Sequence, residues 1–326
     1  LLKSLKDYNS KIFLKDLSAG IIVGIVALPL AIAFAIASGV EPERGIYTAI
    51  IAGFLISVLG GSKVQIGGPT GAFVVIVYGV IQNFGYSGLM IATILAGILL
   101  VLMGAFKLGG LVKFIPYTII TGFTAGIAVT IFTTQIGDFF GLTTGKMPGD
   151  IKRKIKVYAE CFNTINWYSF GMATICLIVI FLWPKLTKKI PGSLVVIILA
   201  TVIDLIIKNT LGWETATIGS RYGSIPSSLP APQIPSFNIE LIKELFPTAI
   251  SIAVLAAIES LLSAVVADGM IGSKHRSNME LTAQGAANIA SALFGGIPAT
   301  GAIARTAANI KNGGRTPIAG MVHAVV

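Results

Sequence analysis

The chain has 326 residues, of which 54% are hydrophobic and 12% charged, with a net charge of +10 and a mean hydropathy of +0.86. A water-soluble domain of this size carries about a quarter charged residues, so the composition excludes one and requires an integral membrane protein. The positive charge lies on lysines flanking apolar runs, not on a basic patch interleaved with aromatics, so nucleic acid is excluded as a partner.

The first residues, LLKSLKDYNSKIF, lack the apolar core of a signal peptide. A spanning helix takes about 20 mostly apolar residues. On that measure the spans in chain order are Leu17 to Ser38, Gly45 to Leu59, Ser87 to Phe106, Phe114 to Ile136, Trp167 to Trp183 and Ser193 to Ile207. After a long polar loop come Leu245 to Ala267, Leu281 to Leu293, and a last one beginning near Pro317. Two shorter pieces, Thr70 to Ile81 and Thr300 to Ile310, each follow a Gly/Pro stretch and are too short to cross alone. Lysines and arginines place the N-terminus inside: Lys3, Lys6, Lys11 and Lys15, then Lys107 and Lys113, Lys185, Lys188 and Lys189, Lys274 and Arg276, and Lys311 and Arg315 fall on one side. The loop carrying Lys146, Lys152, Arg153, Lys154 and Lys156 disagrees, and its DIKRKIKVYAECF reads as an amphipathic surface helix.

The order of elements starting at Leu17 restarts at Leu245, seven elements on. An odd number of crossings means that the second copy enters from the opposite face, the inverted repeat of transporters. The second copy stops in its fourth element, so the sequence reads as truncated within that repeat. Cys161 and Cys176 have no paired spacing, and His275 and His323 are far apart, so neither a disulfide nor a metal site is expected. No cofactor is expected either.

Two stretches carry the chemistry. IGGPTGAFVV (66–75) and FGGIPATGAIARTA (294–307) both set a Gly-Gly pair and a Pro before Thr-Gly-Ala. Broken helices persist in lipid only when buried or lining a cavity. Each phrase therefore predicts an extended segment ending at mid-membrane, with Thr70 and Thr300 opening half-helices. A helix start leaves N–H groups unpaired and carries about half a positive charge. Two starts facing each other, with Gly71 and Gly301 leaving the N–H groups bare, would bind an anion. Two intramembrane charges stand out, because a charge at a helix centre costs about 2.5–3.5 kcal/mol. Glu259 lies in VLAAIESLLSAVVAD with Ser263 one turn on, and Arg305 lies about one turn beyond Thr300 and Gly301. They are expected to be neighbours: ionised Glu259 neutralises Arg305, and protonated Glu259 frees it for an anion. Asp204 reads as a helix contact or a snorkelling residue, and Asp138 and Asp268 as solvated span ends.

These residues resemble the SulP family of anion transporters, the group that includes prestin and bacterial sulfate permeases. The resemblance runs from DLSAGIIVGIVALPLAIAFAIASG through GGSKVQIGGPTGAF to ESLLSAVVADGM and GGIPATGAIARTAANIKNGGRTPIAG. It implies an all-α integral membrane fold of two inverted seven-helix repeats, fourteen helices in core and gate domains that work as an elevator. On that pattern residues 1–16 are a cytoplasmic N-terminus. Residues 17–210 form the first repeat, with core helices over 17–107 and gate helices over 111–210. Residues 211–244 are an extracytoplasmic loop, and 245–326 begin the second repeat. The implied anion site is Phe34, Thr70, Gly71, Ala72, Thr300, Gly301, Ala302 and Arg305, with Glu259 and Ser263 at the coupling-ion position. Pro29-Leu30 stands where many sulfate-type members have Pro-Gln, and Phe34 where many have Tyr. Two hydrogen-bond donors are thereby lost, which leaves bicarbonate or dicarboxylates open.

The expected function is secondary transport of a small inorganic or carboxylate anion, sulfate or a similar oxyanion, with a proton as coupling ion. Sodium-coupled bicarbonate or dicarboxylate transport is the alternative, ahead of a nucleobase transporter or a channel. The expected setting is the inner (plasma) membrane, multi-pass, as a homodimer in the full-length protein, often followed in the family by a STAS domain. No span joins a nucleophile to a base, so an enzyme is not expected.

Overall fold

The computed structural model describes residues 8–110, 117–145, 147–148, 150–187, 192–212, 217–228, 230–236 and 238–326. The expected span start at Phe114 and Lys3, Lys6, Lys113, Lys146, Lys188 and Lys189 lie outside them. Twelve helices are described: α1 (Ser10–Ala37), α2 (Pro42–Leu59), α3 (Val74–Ala105), α4 (Tyr117–Phe139), α5 (Ile151–Glu160), α6 (Trp167–Leu186), α7 (Gly192–Leu211), α8 (Ile218–Tyr222), α9 (Ile239–Ile271), α10 (Ser277–Leu293), α11 (Ile303–Lys311) and α12 (Pro317–Val325). Two short strands, β1 (Gly67–Gly68) and β2 (Thr300–Gly301), and two 3-10 turns, Gly71–Phe73 and Phe162–Thr164, complete the described elements.

The helix ends follow local chemistry. Asn9 Oδ1 accepts from the Ile12 N–H at 3.0 Å and starts α1, because an unpaired helical N–H takes a side-chain oxygen as its cap. Asp150 does the same for α5, accepting from Arg153 N at 3.1 Å, and the basic surface helix read from the sequence is this element. The half-helix expected to end at Ile81 and the span expected from Ser87 form one kinked helix, α3. Gly85 makes the kink at φ 64°, ψ −169°, a conformation that a side chain would strain. α9 begins at Ile239, six residues earlier than expected, and a short helix, α8, lies inside the stretch expected to be loop.

Five described helical stretches are long and apolar enough to cross a membrane: Ser10–Ala37, Pro42–Leu59, Gly71–Ala105, Trp167–Leu186 and Ile239–Ile271. α10 was expected as a span, but it has 17 residues and buries Glu280, Gln284, Asn288 and Ser291. A helix walled by other helices has no need of an apolar surface.

Two compact units emerge, one of residues 1–122 with 226–326 and one of 123–225. In the first unit α10 packs along α3 and α2, α12 along α1 and α2, and α9 along α3 and α11. α3 and α10 cross on facing glycines: a Cβ at Gly97 would come within 2.7 Å of the Gly285 carbonyl, and one at Gly285 within 2.5 Å of the Gly97 carbonyl. Lipid does not squeeze helices together as water does, so small residues that permit close backbone contact hold such a crossing. The apolar core comprises Phe73, Val77, Leu89, Ile91 and Leu100 with Leu245, Ile252, Leu261, Leu281 and Ile297. In the second unit α6 packs on α7, and Phe140 stacks on Phe170 at 5.2 Å between centroids.

Candidate functional site

The two Gly/Pro phrases meet. β1 and β2 pair antiparallel, with Gly67 opposite Gly301 and Gly68 opposite Thr300. Thr300 is therefore a strand residue and not the opener of a half-helix: α11 starts at Ile303 after Ala302. Thr70 precedes a 3-10 turn over Gly71–Phe73, and α3 follows from Val74. Pro69 and the Gly-Gly pair hold the chain extended, which delays each helix by a few residues. Neither Thr70 nor Ala302 gives its helix start a side-chain cap, so these starts keep their attraction for negative charge.

The bare N–H groups are fewer than expected. Ala302 N already donates to the Ile66 carbonyl at 2.8 Å. Gly301 has a different reason to be glycine, since a Cβ there would land on the Gln65 amide nitrogen. The Thr300 hydroxyl donates to the Ala256 carbonyl at 2.9 Å. The Thr70 hydroxyl is buried and has no partner among the described residues.

Arg305 is 4% exposed. Its Nη2 donates to the Pro69 carbonyl, and a Cβ at Gly68 would stand 2.7 Å from its Nη1. Nη1 itself is buried with no hydrogen-bond partner among the described residues. A guanidinium bonded to the Pro69 carbonyl that keeps an N–H unpaired has the chemistry to hold an oxyanion, and the Thr70 hydroxyl, next in the chain to Pro69, is unpaired as well.

Glu259 does not pair with Arg305. No ion pair joins them among the described residues, and Arg305 spends its bond on Pro69. The sequence placed both residues at similar depth, but helix rotation decides the contact, and α9 leaves Glu259 half-buried. Ser263 is fully buried and donates to Thr306 Oγ1 at 3.2 Å; that oxygen in turn accepts from Ile66 N at 3.0 Å. Phe34 is half-buried near the end of α1, and Ala72 is buried. Asp204 accepts from the Tyr168 hydroxyl at 3.2 Å, a helix contact as expected. Asp138 and Asp268 are more than solvated. Asp138 pairs with Arg221 at 2.7 Å, and Asp268 accepts from Ser273 Oγ at 2.7 Å and His275 N at 2.8 Å.

Sequence reasoning missed a buried polar chain behind β1 and β2. Glu280, 0% exposed, accepts from Gly61 N at 2.8 Å and Ser62 N at 3.2 Å. It also accepts from Ser260 Oγ and Gln284 Nε2, both at 3.0 Å. Four donors and the N-terminal turn of α10 satisfy this buried carboxyl, with no cation bonded to it among the described residues. Ser260 Oγ then accepts from Gln65 Nε2 at 2.9 Å, which fixes the amide lying on Gly301. Asn288 clamps Ala299 from both sides, at 2.9 Å each. The missed signal was Glu280, one residue outside the span drawn from Leu281.

A groove between α3 and α9, lined by Val75, Gly79, Asn83, Pro247 and Ser251 among others, contains none of the site residues.

A helical bundle built from apolar spans, with two interrupted elements crossing around a buried arginine, is the architecture of an all-α membrane transporter. The sequence pattern of the sulfate permease family matches residues 13–326, and the chain belongs to that family. It is 52% identical to YvdB of Bacillus subtilis, named provisionally as a sulfate transporter, over 98% of this chain and 60% of that protein. It is 34% identical to the bicarbonate transporter BicA of Picosynechococcus, over 95% of this chain and 56% of that protein. The chain thus spans a little over half the length of these relatives. The transmembrane domain of a cyanobacterial BicA superposes with a TM-score of 0.87 at 30% identity, covering 98% of this chain and 82% of that one. Murine Slc26a9, an anion transporter in the inward-facing state, shares the fold at a TM-score of 0.87 and 19% identity, over 99% of this chain and 57% of that one. These relatives are transporters by name, not enzymes.

Proposed function

We propose that the chain carries the substrate site of a secondary active transporter for a small oxyanion, sulfate or a similar ion, driven by protons in symport. The observation that carries this reading is Arg305, buried, held by the carbonyl of Pro69, with Nη1 unpaired, while the hydroxyl of Thr70, next in the chain, is unpaired too. The anion sits against Thr70, Gly71 and Ala72 on one side and Thr300, Gly301, Ala302 and Arg305 on the other, with Phe34 of α1 nearby. Glu259 is the site of the coupling ion, supported by Ser263. Its half-buried carboxyl makes no hydrogen bond among the described residues, which suits a group that gains and loses a proton. A permanent cation at Arg305 argues against a sodium ion close by.

The cycle is elevator-like: the core helices over 17–107 and 245–326 carry the site across the bilayer, and the helices over 111–210 form the gate. The working protein is a homodimer in the inner membrane. Sodium-coupled bicarbonate transport is the second reading, favoured by the likeness to BicA.

The deciding experiment measures labelled sulfate and bicarbonate uptake by the full-length protein in proteoliposomes, with an inward proton or sodium gradient. Proton-driven sulfate uptake whose acceleration by the proton gradient is reduced in Glu259→Gln is the expected result. Sodium-driven bicarbonate uptake would overturn the proton reading, and uptake of neither anion would overturn the site.

A further inference from the structure

α12 brings a group to the strand crossing that neither phrase contains. His323 is 4% exposed, and neither ring nitrogen has a hydrogen-bond partner among the described residues. Buried polar groups are nearly always bonded, so an imidazole left bare on both sides calls for a reason. The ring lies against β1. Its Cδ2 is 3.8 Å from where a Cβ on Gly53 would stand, and the Gly67 carbonyl is 3.2 Å from the same point. It faces the Gly67 backbone short of hydrogen-bond geometry, and it lies within electrostatic reach of Arg305. Gly67 and Gly68 are β1, and Gly68 and Pro69 hold the guanidinium. Three polar groups with unused bonding capacity thus belong to or adjoin the stretch 67–70: the Thr70 hydroxyl at its end, Arg305 Nη1 and the His323 ring.

The charged surroundings of His323 are one-sided. α11 presents Arg305. Where α1 and α2 press on α12 they do so with Gly20, Gly24, Gly53 and Ser57. The buried carboxylate of α1, Asp16, is already taken up by Arg315 N, Thr316 N and Thr316 Oγ1 at the start of α12. Glu259 stands on α9, which packs on α11. Among the described residues, a second positive charge beside Arg305 therefore has no paired negative partner, and in a dry interior that is costly.

An incoming anion changes this balance according to its charge. A monoanion is neutralised by Arg305 alone. A dianion leaves one negative charge uncompensated, and the bare imidazole is the group beside it that can supply the balance by taking a proton. We propose that His323 is the second cation of a dianion site, binding one proton together with a doubly charged oxyanion held by Arg305. The inference rests on the anion-transport reading above and narrows its substrate class to divalent oxyanions such as sulfate or oxalate. The proton arrives with the substrate and at the substrate, separately from any exchange at Glu259.

The test is calorimetric titration of the full-length protein with sulfate and with nitrate, at pH 7.5 and 6.5, in two buffers of different protonation enthalpy. Sulfate stays doubly charged and nitrate singly charged throughout. The expected result is sulfate binding that tightens up to about tenfold over the pH unit, with up to one proton taken up per anion, and nitrate binding that is flat and proton-free. His323→Gln should keep nitrate binding and lose the sulfate slope, while Glu259→Gln should retain the slope. A sulfate slope that survives in His323→Gln, or proton uptake equal for sulfate and nitrate in the unmodified protein, would overturn the proposal. The second comparison needs no variant, so it decides even if the substitution disturbs folding. Failure of the unmodified protein to bind either anion would instead remove the anion-transport reading, and this inference with it.

Discussion

α9 and α6 are both apolar helices of membrane-spanning length, and they use their sequences in opposite ways. α9 buries Ala249, Ala253, Ala256, Ser260, Ser263 and Ala267 among others, mostly small residues that let α3, β2 and α11 come close. α6 buries no residue within this chain, and Ile175, Ile178, Phe181 and Leu182 are all exposed. In water the second pattern would be a fault, but in lipid it is what a solvated surface looks like. High hydropathy therefore locates membrane, whereas small and polar residues inside an apolar run locate the site.

That contrast can be broken at graded cost. The largest effect is expected at Gly301→Ala, whose methyl displaces the Gln65 amide; uptake by the full-length transporter should fall about 100-fold, as a misplaced site does. Glu280→Ala strands four buried donors and should lower stability by about 3 kcal/mol, read as a shift in detergent unfolding. Gly68→Ala pushes on Arg305 Nη1 and should weaken sulfate binding about tenfold, near 1.4 kcal/mol, in equilibrium titrations. Asp16→Asn removes charge from the cap on α12 and should cost about 1 kcal/mol. Ile178→Leu on the exposed face of α6 should stay within about 0.5 kcal/mol in the same unfolding assay. A loss at Ile178 as large as that at Glu280 would erase the distinction between the two helices.

The sequence announces α1, α2 and α9 through hydropathy, and the site through a phrase written twice. Arg305 was legible because an arginine in an apolar run is rare. Gln65, Ser260 and Glu280 were not, because each is an unremarkable polar residue until a partner about 200 residues away is known. The Glu259–Arg305 pair failed for the complementary reason. Depth along a helix can be counted from the sequence, but rotation about its axis is set by packing, which turned Arg305 to Pro69. His323 was dismissed as half of an impossible metal site; a lone histidine shows no pattern, and only burial without a partner makes it conspicuous.

The pairing of Gly67 with Gly301 also has a consequence for how the protein is made. Its two partners are roughly 230 residues apart, and at about 5–20 residues per second the ribosome needs some ten to fifty seconds to deliver the second after the first. During that interval the extended 66–71 segment has no β2 to bond with, a state that hydrocarbon penalises. The nascent first helices must therefore shelter this segment in the translocon, in a chaperone, or at the wet interface. Biogenesis of this membrane protein then has a waiting step, ended when residues 300 and 301 emerge.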